Sequence, residues 1–338
     1  MRLTPKSYAL TLIVVGFALL GAVVAANVLI DPQRMFGTEL FPDKRNANDR
    51  YLSYLAYRKA EPHIGGLLFA SSRGGGIPVN ALEKQTGVRF ADFTVGFGMI
   101  TDHLPVLERA IRDKAARGKQ LKHVFFLLDA DFLGERPNTN RNPQTQLHPD
   151  LTGEDPFRFW IRYLTAIQFR AWRDDVRRAF LPKSARAARS EPAALQPAMA
   201  PVRLAALATA VPLPPPRTPM RVTDRIDYQR QLALLRRFVD LCRDHGIDLI
   251  VATSPLHRST LSYFDAQDLA AAVADVSRIT PVWDFGAPPW LTERPELWAD
   301  HSHFTPEAGR LMLDRIFTGA LPFGGLPFGV LRPAASGR

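Results

Sequence analysis

Two well-separated polar clusters carry the residue types that acyl-transfer chemistry needs. The later one reads Asp300-His301-Ser302-His303-Phe304-Thr305-Pro306-Glu307-Ala308-Gly309. Thr305 suits an N-cap, Pro306 the first helical position and Glu307 the positive end of a helix. Asp300 and His303 are therefore expected on a tight loop just before a helix. That three-residue spacing lets a carboxylate reach the back of an imidazole, fix its tautomer and stabilise the imidazolium. The earlier cluster is Phe69-Ala70-Ser71-Ser72-Arg73-Gly74-Gly75-Gly76. A serine at the carboxyl end of a strand faces the crevice where open α/β sheets bind ligands. Its own backbone N–H can point at a developing oxyanion. Ser72 is the candidate nucleophile with Ser71 as the alternative, and His303 the candidate base with His301 as the alternative. Val95-Gly96-Phe97-Gly98-Met99 offers Gly96 and Gly98 as further oxyanion donors.

These clusters need a scaffold, and the hydrophobic pattern supplies one. Apolar runs occur at Ile64–Ala70, Val88–Val95, His123–Ala130, Ile247–Ser254 and Pro281–Gly286. Amphipathic stretches separate them: His103 to Ala116, Phe157 to Phe180, Asp224 to Asp244, Asp265 to Ile279 and Pro306 to Phe317. That alternation predicts an α/β fold, a three-layer parallel sheet flanked by helices. Residues 183–222 are rich in Ala, Pro and Arg, and the run VPLPPP suits neither helix nor central strand. They read as a flexible insertion within one domain spanning 61–325, followed by a tail at 326–338.

Tyr8 to Ile30 contains no charge over twenty-three residues. At about 1.5 Å per residue it reaches roughly 35 Å, enough for a bilayer core of about 30 Å. Arg2 and Lys6 precede it and Asp31 follows, which predicts a single-pass inner-membrane anchor. Residues 1–7 would be cytoplasmic, 31–60 a juxtamembrane stalk, and the remainder periplasmic. A cleaved signal peptide is the competing reading, given the small residues around Ala22 to Ala26. Either reading exports the catalytic part.

Composition removes several function classes. Across 338 residues, 46% are hydrophobic and 22% charged, which suits a buried core and excludes wholesale disorder. A single cysteine, Cys242, excludes an intrachain disulfide framework. The formal charge is +10, yet no basic run interleaved with aromatics or zinc-finger spacing points to nucleic acid. A basic face near an anionic membrane is the simpler account. No P-loop or dinucleotide fingerprint is present, because Gly74-Gly75-Gly76 runs into Ile77-Pro78. Asp300, His301 and His303 lack a helical His-x-x-x-His frame, so neither cofactor nor metal is expected.

The Ala70-Ser71-Ser72 segment, the Gly96/Gly98 block and the terminal Asp300-x-x-His303 together resemble the SGNH (GDSL-like) hydrolase superfamily. More narrowly the chain resembles its membrane-anchored exported branch, which includes alginate O-acetylation proteins and the teichoic-acid D-alanine transfer protein. The likeness spans roughly 61–320 apart from the insertion. It implies Ser72 as nucleophile, His303 as base and Asp300 as its orienter. It also implies an envelope polysaccharide or acylated glycan as substrate, and admits a membrane-bound O-acyltransferase as partner. Two departures stand out: Ala70 replaces the family's first glycine, and the Gly-x-Asn-Asp block is absent. At that strand end the chain reads Leu127-Leu128-Asp129-Ala130-Asp131-Phe132. Such departures point toward the acyl-transfer branch over a secreted esterase. They also motivate a non-catalytic alternative that binds glycan or scaffolds a polysaccharide machine.

Other residues carry weaker readings. Asp129 and Asp131 after an apolar strand also open a magnesium-dependent phosphatase motif, although Leu133 stands where that motif has Thr or Val. Arg73 is a candidate for binding an acidic substrate, with a salt bridge as its ordinary role. His257 could line the crevice or simply end a strand. Trp298, with Trp283 and Trp290, could stack on sugar rings or fill the core. Asp284 is expected to be structural.

Overall fold

The computed structural model describes residues 4–38, 40–41, 47–136, 138, 141–180, 218–286 and 288–334. Most of the expected insertion at 183–222 lies outside the described residues. Thr218–Val222 is within them, and there Val222 is buried and donates its N–H to Asp268 at 2.5 Å.

Helices α1 (Pro5–Leu29) and α2 (Asp49–Ala60) precede β1 (Ile64–Ala70), α3 (Val79–Thr86), β2 (Arg89–Thr94), α4 (Ile100–Ala115) and β3 (His123–Leu128). Next come α5 (Pro149–Thr152), α6 (Pro156–Thr165) and α7 (Phe169–Ala179). The chain then continues through α8 (Tyr228–Asp244), β4 (Asp248–Thr253), α9 (Arg258–Leu261), α10 (Ala266–Ser277) and β5 (Val282–Asp284). It closes with α11 (Pro289–Thr292), α12 (Pro306–Thr318) and β6 (Val330–Arg332).

The fold is α/β. Six strands form one sheet in the order β2-β1-β3-β4-β5-β6, and every pair is parallel except β5–β6. The five parallel strands sit on the five apolar runs. Such runs are apolar on both faces, so helices must cover both. On one face Leu68, Ala70, Phe125 and Leu127 pack with Leu82 of α3 and Met312 and Leu313 of α12. On the other, Phe69 and Phe126 meet Phe238 of α8 at 5.6 and 5.1 Å between ring centroids.

Strand β6 lies within the segment 326–338 that the sequence reading sets apart as a tail. Three residues, VLR, are too short for any period to show. What fixes them is tertiary: Phe328 packs edge-on to Phe285 at 4.8 Å, and Arg332 pairs with Asp284 at 2.7 Å.

The described residues divide into two compact units. Described residues up to Leu52, with 141–180, form one compact unit that holds α1, α5, α6 and α7. Ser53–Asn138 with 218–334 forms the other, which holds the whole sheet. The boundary falls inside α2. Helix α1 is long and apolar enough to cross a membrane, and its most apolar stretch is wholly exposed.

Candidate active site

All three principal residues belong to the sheet unit. Strand β1 ends at Ala70, and Ser72 opens a 3-10 turn over Ser72–Gly76 at the carboxyl rim of the sheet. His303 precedes α12, on a loop closed by the Trp298–Phe304 bridge and by Ala299 N–H donating to the His303 carbonyl at 2.7 Å. Thr305 occupies the N-cap of α12, as expected, but its hydroxyl donates to the Glu296 carbonyl at 3.4 Å instead of capping the helix.

Ser72 Oγ lies 2.9 Å from His303 Nε2. On the far side of the ring, His303 Nδ1 lies 2.8 and 2.9 Å from the two Asp300 oxygens. Asp300 also accepts the backbone N–H groups of Ser302 at 2.7 Å and His303 at 2.8 Å. Burial by itself pushes the Asp300 carboxyl up. The hydrogen bonds from His303 and from those two amides outweigh it and hold the carboxyl at about 2. The arrangement is a serine–imidazole–carboxylate relay that stays ionised at its carboxylate end.

The oxyanion candidates separate. Among the described residues the Ser72 N–H has no acceptor, so it is available to a developing negative charge. The Gly98 N–H is spent on the Val95 carbonyl at 3.0 Å, which corrects its expected role. Gly98 has a packing role instead, since a Cβ there would stand 2.7 Å from the Ala70 carbonyl oxygen. A Cβ at Gly96 would meet nothing within 4 Å.

Ser71 is buried, and its hydroxyl accepts the Arg73 N–H at 3.2 Å as the cap of the turn. His301 is exposed and offers its carbonyl to Thr260 at 2.8 Å. Neither alternative sits in the relay.

Arg73 corrects its expected role most sharply. Its side chain is 4% exposed and points inward, with Nη1 3.0 Å from Asp129 and 2.6 Å from Asp131. Nη2 adds a second bond to Asp131 at 2.8 Å. Burial disfavours the guanidinium charge, but the two carboxylates more than offset it and raise the Arg73 pKa. Asp129 responds in the other direction. Its burial outweighs the attraction of Arg73 and lifts its carboxyl above the usual range. The guanidinium thus holds the place between the two carboxylates that a magnesium ion would need. Among the described residues no group of three potential ligands could hold a metal.

Trp298 is 3% exposed and donates its indole N–H to the Leu291 carbonyl at 2.9 Å, so it fills the core and cannot stack on a sugar. His257 caps α9 through Nδ1, which accepts the Ser259 N–H at 3.2 Å, and its ring meets Trp298 at 5.0 Å. Burial first, then Arg258, lowers its pKa. Asp284 accepts the Thr253 hydroxyl at 3.2 Å and pairs with Arg332, a structural role.

One feature of the rim lay beyond the sequence reading. Phe97 has a left-handed backbone (φ 52°), stands 73% exposed, and stacks on Phe132 at 5.9 Å. Phe132 in turn lies 5.2 Å from the Arg73 guanidinium. A bulky residue held at positive φ costs of order 1–3 kcal/mol, and such strain clusters at ligand sites. The available signal was an aromatic residue between two glycines.

A six-stranded, mostly parallel α/β sheet with a serine–histidine–aspartate relay on its carboxyl rim is the class these features define. No family model matches the chain, and no curated protein matches it.

Proposed function

We propose that this chain is an exported, membrane-tethered serine esterase or O-acyltransferase of the SGNH type, acting on a cell-envelope polysaccharide. The observation that carries the reading is the continuous relay Ser72 Oγ–His303–Asp300, with separations of 2.9 and 2.8 Å. Ser72 Oγ attacks the acyl carbonyl of the donor while His303 Nε2 takes the hydroxyl proton. Asp300 holds the ring and offsets the imidazolium charge. The oxyanion of the tetrahedral adduct faces the Ser72 N–H. Collapse expels the donor alcohol, which takes the proton back from His303, and leaves an acyl-Ser72 ester. A sugar hydroxyl or water, deprotonated by His303, then attacks that ester and frees Ser72. The Arg73 guanidinium supports this chemistry indirectly, because it offsets the charge of Asp129 and Asp131 behind the nucleophile turn.

In this reading α1 is a single inner-membrane anchor with residues 1–7 in the cytoplasm and the sheet unit in the periplasm. The substrate is an envelope polysaccharide or acylated glycan, and a membrane-bound O-acyltransferase is the partner that would supply acyl groups. Fluorophosphonate labelling of the full chain tests the nucleophile. Labelling lost in Ser72→Ala supports it, whereas equal labelling of both proteins rejects it.

A second reading draws on Gly98, whose amide is already spent within its own turn. A hole with few donors suits a non-catalytic protein that binds glycan or scaffolds a polysaccharide machine. Glycan binding that survives Ser72→Ala and His303→Ala, with envelope acylation unchanged in cells, would favour it.

A further inference from the structure

The unit that contains α1 exposes apolar side chains that its own core does not need. In α6, Phe157 and Ile161 stand four residues apart on one helical face, beside Trp160, whose ring packs on Phe36 at 5.2 Å. Phe157 is 72% exposed and Ile161 46%, whereas Phe159 and Tyr163 on the other side are fully buried. Beyond α6, Ile167 and Phe169 are 77% and 68% exposed. Helix α7 continues with a second pattern. Arg170, Arg173 and Arg177 share a stripe beside Phe169, and all three are exposed. The helix carries four arginines against two aspartates.

The position of this surface is set by Asn27. It lies in the last turns of α1 and is fully buried, although the apolar stretch of that helix is exposed. Its Nδ2 donates to the carbonyls of Leu164 at 2.8 Å and Ala166 at 2.9 Å, which α6 leaves unsatisfied at its end. Its Oδ1 accepts from Gln168 Nε2 and Trp172 Nε1, each at 3.0 Å. Asp31, the first charge after Lys6, follows four residues later and accepts the N–H groups of Phe36 and Thr38. The end of α6 and the start of α7 are thereby bolted to α1 at the level where its uncharged segment ends. For a spanning helix that level is the lipid–water boundary.

We infer that α6 and α7 form a membrane-surface platform. Phe157, Ile161, Ile167 and Phe169 enter the interfacial layer of the bilayer that α1 crosses, and the α7 arginines meet anionic lipid headgroups. An amphipathic helix with apolar residues on one face and arginines beside them binds an anionic interface by both terms. The tether then ends in a rigid foot on the membrane and not in a free linker.

Spin-label depth measurement on the full chain in vesicles tests this. Labels are placed through Phe157→Cys, Ile167→Cys and Phe169→Cys, with Leu19→Cys as the lipid reference and Arg310→Cys as the water reference. Native Cys242 is buried and its thiol is pushed up to about 12, so it stays unlabelled. In vesicles of phosphatidylethanolamine and phosphatidylglycerol, the three platform labels should favour oxygen over a nickel chelate several-fold more than the Arg310 label does. Platform labels with the Arg310 ratio beside a lipid-buried Leu19 label would overturn the inference and leave the surface to a protein partner. A water-accessible Leu19 label would overturn it too, by removing the bilayer from α1. Replacing phosphatidylglycerol with phosphatidylcholine should make the Phe169 label shallower. Equal depth in both lipids would overturn the role given to the arginines.

Discussion

Gly309 of α12 packs directly on the backbone of Gly76, at the end of the turn that Ser72 opens. A Cβ on Gly309 would collide with the Gly76 carbonyl, and one on Gly76 would collide with the Phe304 ring. The two bare positions let the terminal helix descend onto the turn that carries Ser72. His303, three residues before that helix, reaches the serine hydroxyl because of this contact. The relay is therefore a consequence of backbone packing as much as of the polar residues themselves.

Gly309→Ala should lower both stability and the reaction of Ser72. Overpacking of this kind costs about 1–3 kcal/mol, and the displaced helix carries His303 away from Ser72. Thermal unfolding and the rate of fluorophosphonate labelling should fall together. A variant with a normal labelling rate would break the link between the packing and the relay.

Asp300→Asn should leave the fold intact and slow ester turnover or transfer by roughly 10³–10⁴-fold, the loss expected when an imidazole is left in the wrong tautomer. Stopped-time assays with an activated acyl ester would read it. A loss of under tenfold would mean that Asp300 does not orient His303.

The same carboxylate gives an acid signature. Asp300 ordinarily titrates at 3.8 and is held at about 2 in the fold, so its ionised form favours the folded state. That contribution is complete above about pH 4 and is lost as pH falls toward 2. Urea unfolding of the native chain and of Asp300→Asn should show a stability gap that narrows over this range. A gap that widened on acidification would contradict the sign.

Arg73→Met should destabilise the sheet unit by about 3–5 kcal/mol, the usual result of stranding buried charge. The triple variant Arg73→Met, Asp129→Asn, Asp131→Asn should recover much of that loss, because the charges disappear together. Chemical denaturation of the native chain, Arg73→Met, Asp129→Asn/Asp131→Asn and the triple variant measures it. If Arg73→Met were neutral, the buried triad of charges would not be as tightly coupled as its distances indicate.

Features that depend on neighbouring residues are legible along the chain. The five apolar runs became the five parallel strands, α1 followed from an uncharged stretch, and Asp300-x-x-His303 had to form a loop before a helix. Ser72 could be placed at a strand end for the same local reason. Tertiary structure decided what depends on partners distant in the chain. Arg73 reads as a substrate contact beside the serine, but Asp129 and Asp131 arrive on the turn that follows the neighbouring strand β3 and draw it inward. Trp298 looked free to stack on a sugar until the loop closed over it. Gly98 offered an amide that its own turn consumes, and β6 had too few residues to show a period before Phe285 and Asp284 gave it a place. Hydrophobic pattern and capping act over a few residues and can be read along the chain. Burial of a charge, or the spending of a hydrogen bond, is settled only when the distant segments meet.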